Sequence, residues 1–138
     1  MWTATVDVAD AFYGMEMPEE WRHLLGLEPV KAGDLGIERL DGRRISKGTT
    51  LYPRLNVLPM GWTHALALCQ RVLETAADDA GLPREGRFSD ATPAANIGVG
   101  AHTEYVDNFL AFSDGPVKSD AMRIAIADNL RSKGLPCS

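Results

Sequence analysis

Apolar and polar residues alternate from Thr3 to Val8, with Ala4, Val6 and Val8 on one side. A period of two marks a half-buried strand. Glu16 to Leu25 reads as a short helix: Pro18 suits a first helical position, Glu19 and Glu20 suit the first turn, and Gly26 can stop it. Short strands are expected between Leu35 and Val57, where Asp41-Gly42 is a hairpin turn signal between Ile37–Leu40 and Arg43–Ile45. After Trp62 the pattern becomes helical. Ala65, Leu68, Cys69, Val72 and Ala76 share a face, Thr63 can cap the start, and Gly81 with Pro83 ends the run.

From residue 82 to 103 the pattern fades. Arg84 to Thr103 carries three glycines, one proline and few large apolar residues, so this stretch is expected to be a loop. Glu104 to Phe112 is aromatic and apolar and reads as strand, turn, strand. A last helix is expected from about Ser119 to Lys133. Asp120 lies near its positive end, Arg131 and Lys133 lie near its negative end, and Gly134 and Pro136 close it. This order of strands and helices predicts an α+β layer fold with an antiparallel sheet.

Composition narrows the picture modestly. A chain of 138 residues without internal repeats is sized for one domain with one modest core. The apolar runs are too short to span a bilayer, and no basic leader precedes an apolar stretch. Cys69 and Cys137 are far apart and lack the spacing of a zinc site or a disulfide framework. These features lead to the expectation of an intracellular protein, in cytoplasm or nucleus, with no membrane partner. The net charge of -5 argues against a simple nucleic-acid binder. That charge is unevenly spread, because Lys31, Arg39, Arg43, Arg44, Lys47 and Arg54 form a locally basic segment. A solvated hairpin and a nucleic-acid-facing surface are both open readings of that segment.

Three short segments carry the candidate chemistry. They are Val6-Asp7-Val8-Ala9-Asp10-Ala11-Phe12-Tyr13, Asn56-Val57-Leu58-Pro59-Met60-Gly61-Trp62 and Tyr105-Val106-Asp107-Asn108-Phe109-Leu110. An Asp-x-x-Asp pair alone is common. Three segments in this order, including a near-complete Asn-Val-Leu-Pro-x-Gly-Trp string, are specific. Together they resemble the A, B and C motifs of reverse transcriptases from retroviruses and long-terminal-repeat or related retroelements. Leu130-Arg131-Ser132-Lys133-Gly134-Leu135 resembles the end of the next motif, so the likeness extends over nearly the whole chain.

The resemblance implies a polymerase palm, a ferredoxin-like or RRM-like antiparallel sheet with helices packed on one face. Residues 1–138 would be a single palm fragment, with 14–58 a partial fingers-side insertion and no thumb. It implies template-directed nucleotidyl transfer with two Mg²⁺ ions, for which Mn²⁺ can substitute. Mg²⁺ prefers oxygen ligands, and a pair of ions suits an in-line attack on phosphorus. By the same resemblance Asp7, Asp107 and the carbonyl of Val8 are the metal ligands, and Asp7, Asp107 and Asn108 form the catalytic set. The amides of Asp10 and Ala11 would meet the incoming triphosphate. Phe12 would bar a 2′-hydroxyl, and Met60 and Gly61 would flank the nucleotide. Trp62 reads as a packing residue and His64 as a solvated or capping one.

One departure stands out. The family carries two adjacent aspartates in its third motif, and this chain has Asp107 followed by Asn108. Asn offers an oxygen without a charge. The implied partners are a primer on an RNA or DNA template and deoxynucleoside triphosphates. The chain starts close to Asp7, so fingers and thumb regions, or a partner chain, are expected to be needed for tight binding. A catalytically decayed palm acting as a binding or scaffold module is the alternative. An RNA-directed RNA polymerase is disfavoured by Phe12 and by Asn56-Val57-Leu58-Pro59.

Overall fold

The computed structural model describes residues 1–93, 98 and 100–138. The chain is a mixed α+β protein with small antiparallel sheets. It divides into two compact units: Met1–Met15 with Pro59–Ser138, and Glu16–Leu58.

The first unit is built on a three-stranded sheet in the order β1 (Trp2–Asp7), β7 (Asn108–Ser113), β6 (Ala101–Tyr105). Both pairings are antiparallel. On one face Val6 lies opposite Phe109 and Ala4 opposite Ala111, and all four are buried. Two seventeen-residue helices, α2 (Thr63–Asp79) and α3 (Pro116–Ser132), pack on the sheet and on each other. Their buried residues are Ala65, Cys69, Leu73, Ala76 and Ala77 on α2, and Ser119, Met122, Ile126, Ala127 and Leu130 on α3. On the opposite sheet face lie Thr3, Thr5 and Asp7, opposite Phe112, Leu110 and Asn108. A short helix α1 (Ala11–Gly14) follows β1. Pro136, Cys137 and Ser138 run antiparallel to Ala9, Val8 and Asp7 along the outer edge of β1. Among the described residues no helix is long and apolar enough to cross a membrane.

The second unit consists of short pieces: β2 (Val30–Lys31) pairs with β5 (Thr50–Leu51), and β3 (Arg39–Leu40) pairs with β4 (Arg43–Arg44). Asp41 (φ 50) and Gly42 (φ 75) make the β3–β4 turn, the positive-φ pair that an Asp-Gly hairpin uses. An additional bond from the Ile45 amide to the Glu38 carbonyl lengthens this ribbon.

Several expectations need correction. The helix expected over Glu16–Leu25 is a 3₁₀ segment, Glu19–Leu24, with no buried residue. Without an apolar stripe to bury, nothing favours further α-helical turns. Pro18 stands just before it. Thr63 is the first residue of α2 rather than its cap. On α2 it is Leu73 that reaches the core, while Leu68 and Val72 are half-buried. The last helix starts at Pro116, three residues earlier than expected, because proline is well suited to a first turn.

The loop expected over residues 82–103 is shorter than predicted. Positions 94–97 and 99 of it lie outside the described residues, but Arg84–Gly86 is a 3₁₀ turn and β6 begins at Ala101. Its inward residues are polar, which hid the alternation. His102 and Glu104 are buried. The His102 ring meets Glu104 Oε1 at 2.7 Å through Nδ1 and donates from Nε2 to the Pro83 carbonyl at 3.0 Å. Glu104 Oε2 accepts from Arg87 Nε at 2.9 Å, and Arg87 also donates to Asp78 Oδ1 at 2.8 Å and to the Glu74 carbonyl. Arg84 closes the chain on Asp78 Oδ2. Any side chain at Gly86 would collide with the Gly100 carbonyl, so the segment packs tightly there.

Burial opposes the charge on Arg87, yet Glu104 and Asp78 more than offset it and hold its pKa above the ordinary value. For Asp78, burial would raise the carboxyl, but the hydrogen bonds and charges of Arg87 and Arg84 bring it below its ordinary 3.8. A depressed carboxyl stabilises the fold above its unfolded-state pKa, and that stability disappears as pH falls through the folded value. Stability is therefore expected to decline below about pH 3.8, and Asp78→Asn to flatten that decline in urea titrations. Arg87→Leu leaves Glu104 buried without its cation and should cost about 3–5 kcal/mol at neutral pH.

Candidate active site

Asp7 ends β1 with an exposed side chain on the open face of the sheet. Its cross-strand neighbour is Asn108, whose neighbour on the other side is Tyr105. Directly opposed positions bring β-carbons within about 4.5–5.5 Å. The carboxylate of Asp7 has no hydrogen-bond or ion-pair partner among the described residues.

The β6–β7 hairpin closes through Val106 and Asp107. Val106 sits at φ 57, a left-handed conformation that costs a β-branched residue on the order of 1–3 kcal/mol. Helix α2 holds it there. Gln70 Oε1 accepts from the Val106 amide at 2.7 Å, and Gln70 Nε2 donates to the Glu104 carbonyl at 2.9 Å. The Cys69 thiol donates to the Val106 carbonyl at 3.2 Å. On the other side, the Val8 amide donates to the Asp107 carbonyl at 2.9 Å, tying the hairpin tip to the strand that carries Asp7. Asn108 Nδ2 donates to Asp107 Oδ1 at 2.8 Å. Burial, and then the nearby Asp107 charge, push the Cys69 thiol up to about 11. That makes it a packing group rather than a nucleophile.

Asp107 faces a cavity of about 210 Å³ walled by Asp10, Ala11, Phe12, Tyr13 and Met60. Asp10 adopts φ 49, turning the chain from β1 into α1. Among the described residues the Asp10 and Ala11 amides donate no hydrogen bond within the protein. Phe12 is half-buried, whereas Met60 is well exposed. Gly61 has φ 90, a conformation that glycine adopts without strain, and stands beside the cavity rather than in its wall. Val8 is buried, with its amide on Asp107. His64 lies outside the cavity, edge-on to the Trp62 ring at 5.2 Å. A larger open cleft of about 410 Å³ beside β6 shares none of the sequence-derived site residues.

Asp10, Ala11, Phe12, Met60 and Asp107 thus share one cavity, with Asp7, Val8 and Asn108 adjoining it through strand pairing. The sequence reading gave no site role to Gln70, Cys69 or Tyr13. Helical periodicity marked Cys69 as a core position, but nothing local marked Gln70, whose partners lie 34 and 36 residues away. Among the described residues, no three His, Cys, Asp or Glu side chains gather closely enough to hold a metal ion. The carboxylates gathered here are those of Asp10 and Asp107 in the cavity wall and of Asp7 at the adjoining strand end. Comparison with protein-family models and with curated proteins finds no match for this chain.

The Gln70 clamp is testable. Gln70→Ala removes an acceptor and a donor from two backbone groups of the hairpin and should cost about 1–3 kcal/mol. Amide exchange at Val106 should accelerate well beyond that at Phe109 in the strand interior.

Proposed function

We propose that this chain is the palm core of a reverse transcriptase, an RNA-directed DNA polymerase. One observation supports it above others: segments as distant in sequence as Asp10–Tyr13, Met60 and Asp107 wall one cavity, beside the strand end that presents Asp7. These are the segments whose motifs resemble that family. The sheet with helices on one face suits a palm, and the Glu16–Leu58 unit occupies the place of a fingers-side insertion in the chain order.

The site's chemistry fits a pair of Mg²⁺ ions, or Mn²⁺ in their place. Mg²⁺ keeps waters and takes substrate phosphates, so it needs only one or two protein carboxylates. Asp7, Asp107 and the Val8 carbonyl are the ligands in this reading, and the carboxylate of Asp7, without a partner among the described residues, is free to serve. When bound, such ions lower the pKa of the attacking 3′-hydroxyl and stabilise the leaving pyrophosphate. The amides of Asp10 and Ala11 orient the triphosphate, because paired backbone N–H groups at a turn favour an anion. Phe12 selects a deoxynucleotide by filling the space of a 2′-hydroxyl. Met60 covers the nucleotide without donating a hydrogen bond. The substrates are deoxynucleoside triphosphates and a primer on an RNA or DNA template.

Asn108 favours a second reading, a decayed palm serving as a binding or scaffold module. In β1–β7 pairing it stands opposite Asp7. An aspartate there would face one carboxylate across the strands and adjoin another along the chain, a repulsion that bound cations relieve. Asn108→Asp is therefore expected to lower metal-free stability by about 0.2–1 kcal/mol. Millimolar Mg²⁺ should restore it in thermal melts. In a chain completed with fingers and thumb, the same substitution should raise Mg²⁺-dependent primer extension. No extension by parent or variant favours the scaffold reading.

A further inference from the structure

The segment from Gly134 to Ser138 leaves α3 and returns to the strand that presents Asp7. Gly134 takes φ 82, and the Leu135 amide reaches back to the Leu130 carbonyl, a helix ending that reverses the chain. Leu135 is buried, and its Cδ2 lies 3.0 Å from where a β-carbon on Gly14 would stand. The Asp7 amide donates to the Ser138 carbonyl at 3.1 Å, and the Ser138 amide donates back to the Asp7 carbonyl at 3.0 Å. The Ala9 amide donates to the Pro136 carbonyl at 2.9 Å. Arg131 Nη2 donates to the Cys137 carbonyl, and the Cys137 thiol points to the Ala127 carbonyl, so α3 holds the segment from behind.

The same few residues are gripped from the opposite side. The Val8 amide is bonded to the Asp107 carbonyl, and the Gly14 amide to the Asp10 carbonyl within the turn that walls the cavity. Asp7–Ala9 is thus held between the hairpin tip and this returning segment, and Leu135 packs beside Gly14 at the end of the turn that follows. Asp10 is held at a positive φ inside that turn, a conformation that persists when surrounding contacts over-determine it.

We propose that Leu135–Ser138 is a positioning strap: by pairing with Asp7–Ala9 and packing on Gly14, it sets the first carboxylate and the Asp10–Phe12 turn in their places. Its consequence for metal binding rests on the polymerase reading above, and its consequence for geometry does not. The strap touches none of the reacting groups and acts through the backbone of the residues that do.

The test uses the full chain with Ser138→Pro and, separately, Leu135→Ala. Ser138 is exposed and outside the core, so its proline variant removes one donor of the Asp7 rung while leaving the fold. Amide exchange is read by NMR, and Mn²⁺ binding by the resonance of the free ion. Exchange is expected to rise about tenfold at Asp7 and Ala9, and also at Val8 and Gly14, whose bonds do not involve the strap. Mn²⁺ affinity is expected to fall about fivefold or more. Acceleration confined to Asp7 and Ala9, or none at all, in both variants overturns the proposal and leaves the segment as an edge cover. So does altered exchange at all four amides with unchanged Mn²⁺ affinity. A parent that binds no Mn²⁺ contradicts the polymerase reading instead, and exchange at Val8 and Gly14 then decides the strap alone.

Discussion

Val6 lies opposite Phe109 in the β1–β7 pairing, and Asp7 consequently lies opposite Asn108. That register is set by burial. Ala4, Val6, Phe109 and Ala111 are all buried on the face of strands that pack against α3, and a slip of one residue would turn every one of them to the open face. The cost of exposing Phe109 and Val6 alone is several kcal/mol, since each buried side chain of this size is worth about 1.5–3. The alignment of the two site strands is therefore enforced by side chains that take no part in the site.

Register alone does not shape the hairpin tip. Val106 is held in a conformation that a β-branched side chain resists, and both its amide and its carbonyl are bonded to α2. Each such bond contributes about 1 kcal/mol net, so the strain is matched rather than overwhelmed. The Asp107 carbonyl completes the arrangement by accepting from Val8. Helix α2 thus serves two ends: its apolar stripe closes the core, and Gln70, just beside that stripe, sets the tip. The chain from buried His102 and Glu104 to half-buried Arg87 anchors β6 to the segment that holds Pro83 and Arg87 and to α2.

Legibility in the sequence followed local physics. Strand β1, helix α2 and the Asp41-Gly42 hairpin could be read because each is specified by its own pattern or turn chemistry. Over Glu16–Leu25 charge placement imitates a helix start without an apolar face to sustain it, and only the 3₁₀ segment Glu19–Leu24 forms. The end of β6 and its hairpin to β7 could be read, but its first residues, Ala101 to Thr103, were hidden because the inward His102 and Glu104 are polar and bond to segments distant in the chain. The same contrast holds at the site. Asp7, Met60 and Asp107 stood out through motif resemblance, whereas Gln70 and Ser138 matter through long-range backbone bonds that no local pattern announces.

The central claim is that Asp7 and Asp107 together form a cation site. A calorimetric titration of the full chain with Mn²⁺, repeated on Asp7→Ala and Asp107→Ala, addresses it directly. The account predicts saturable binding by the parent and loss of that binding in both variants, with melting temperatures in metal-free buffer close to the parent's. Equal Mn²⁺ binding by parent and variants, or none by the parent, would contradict it.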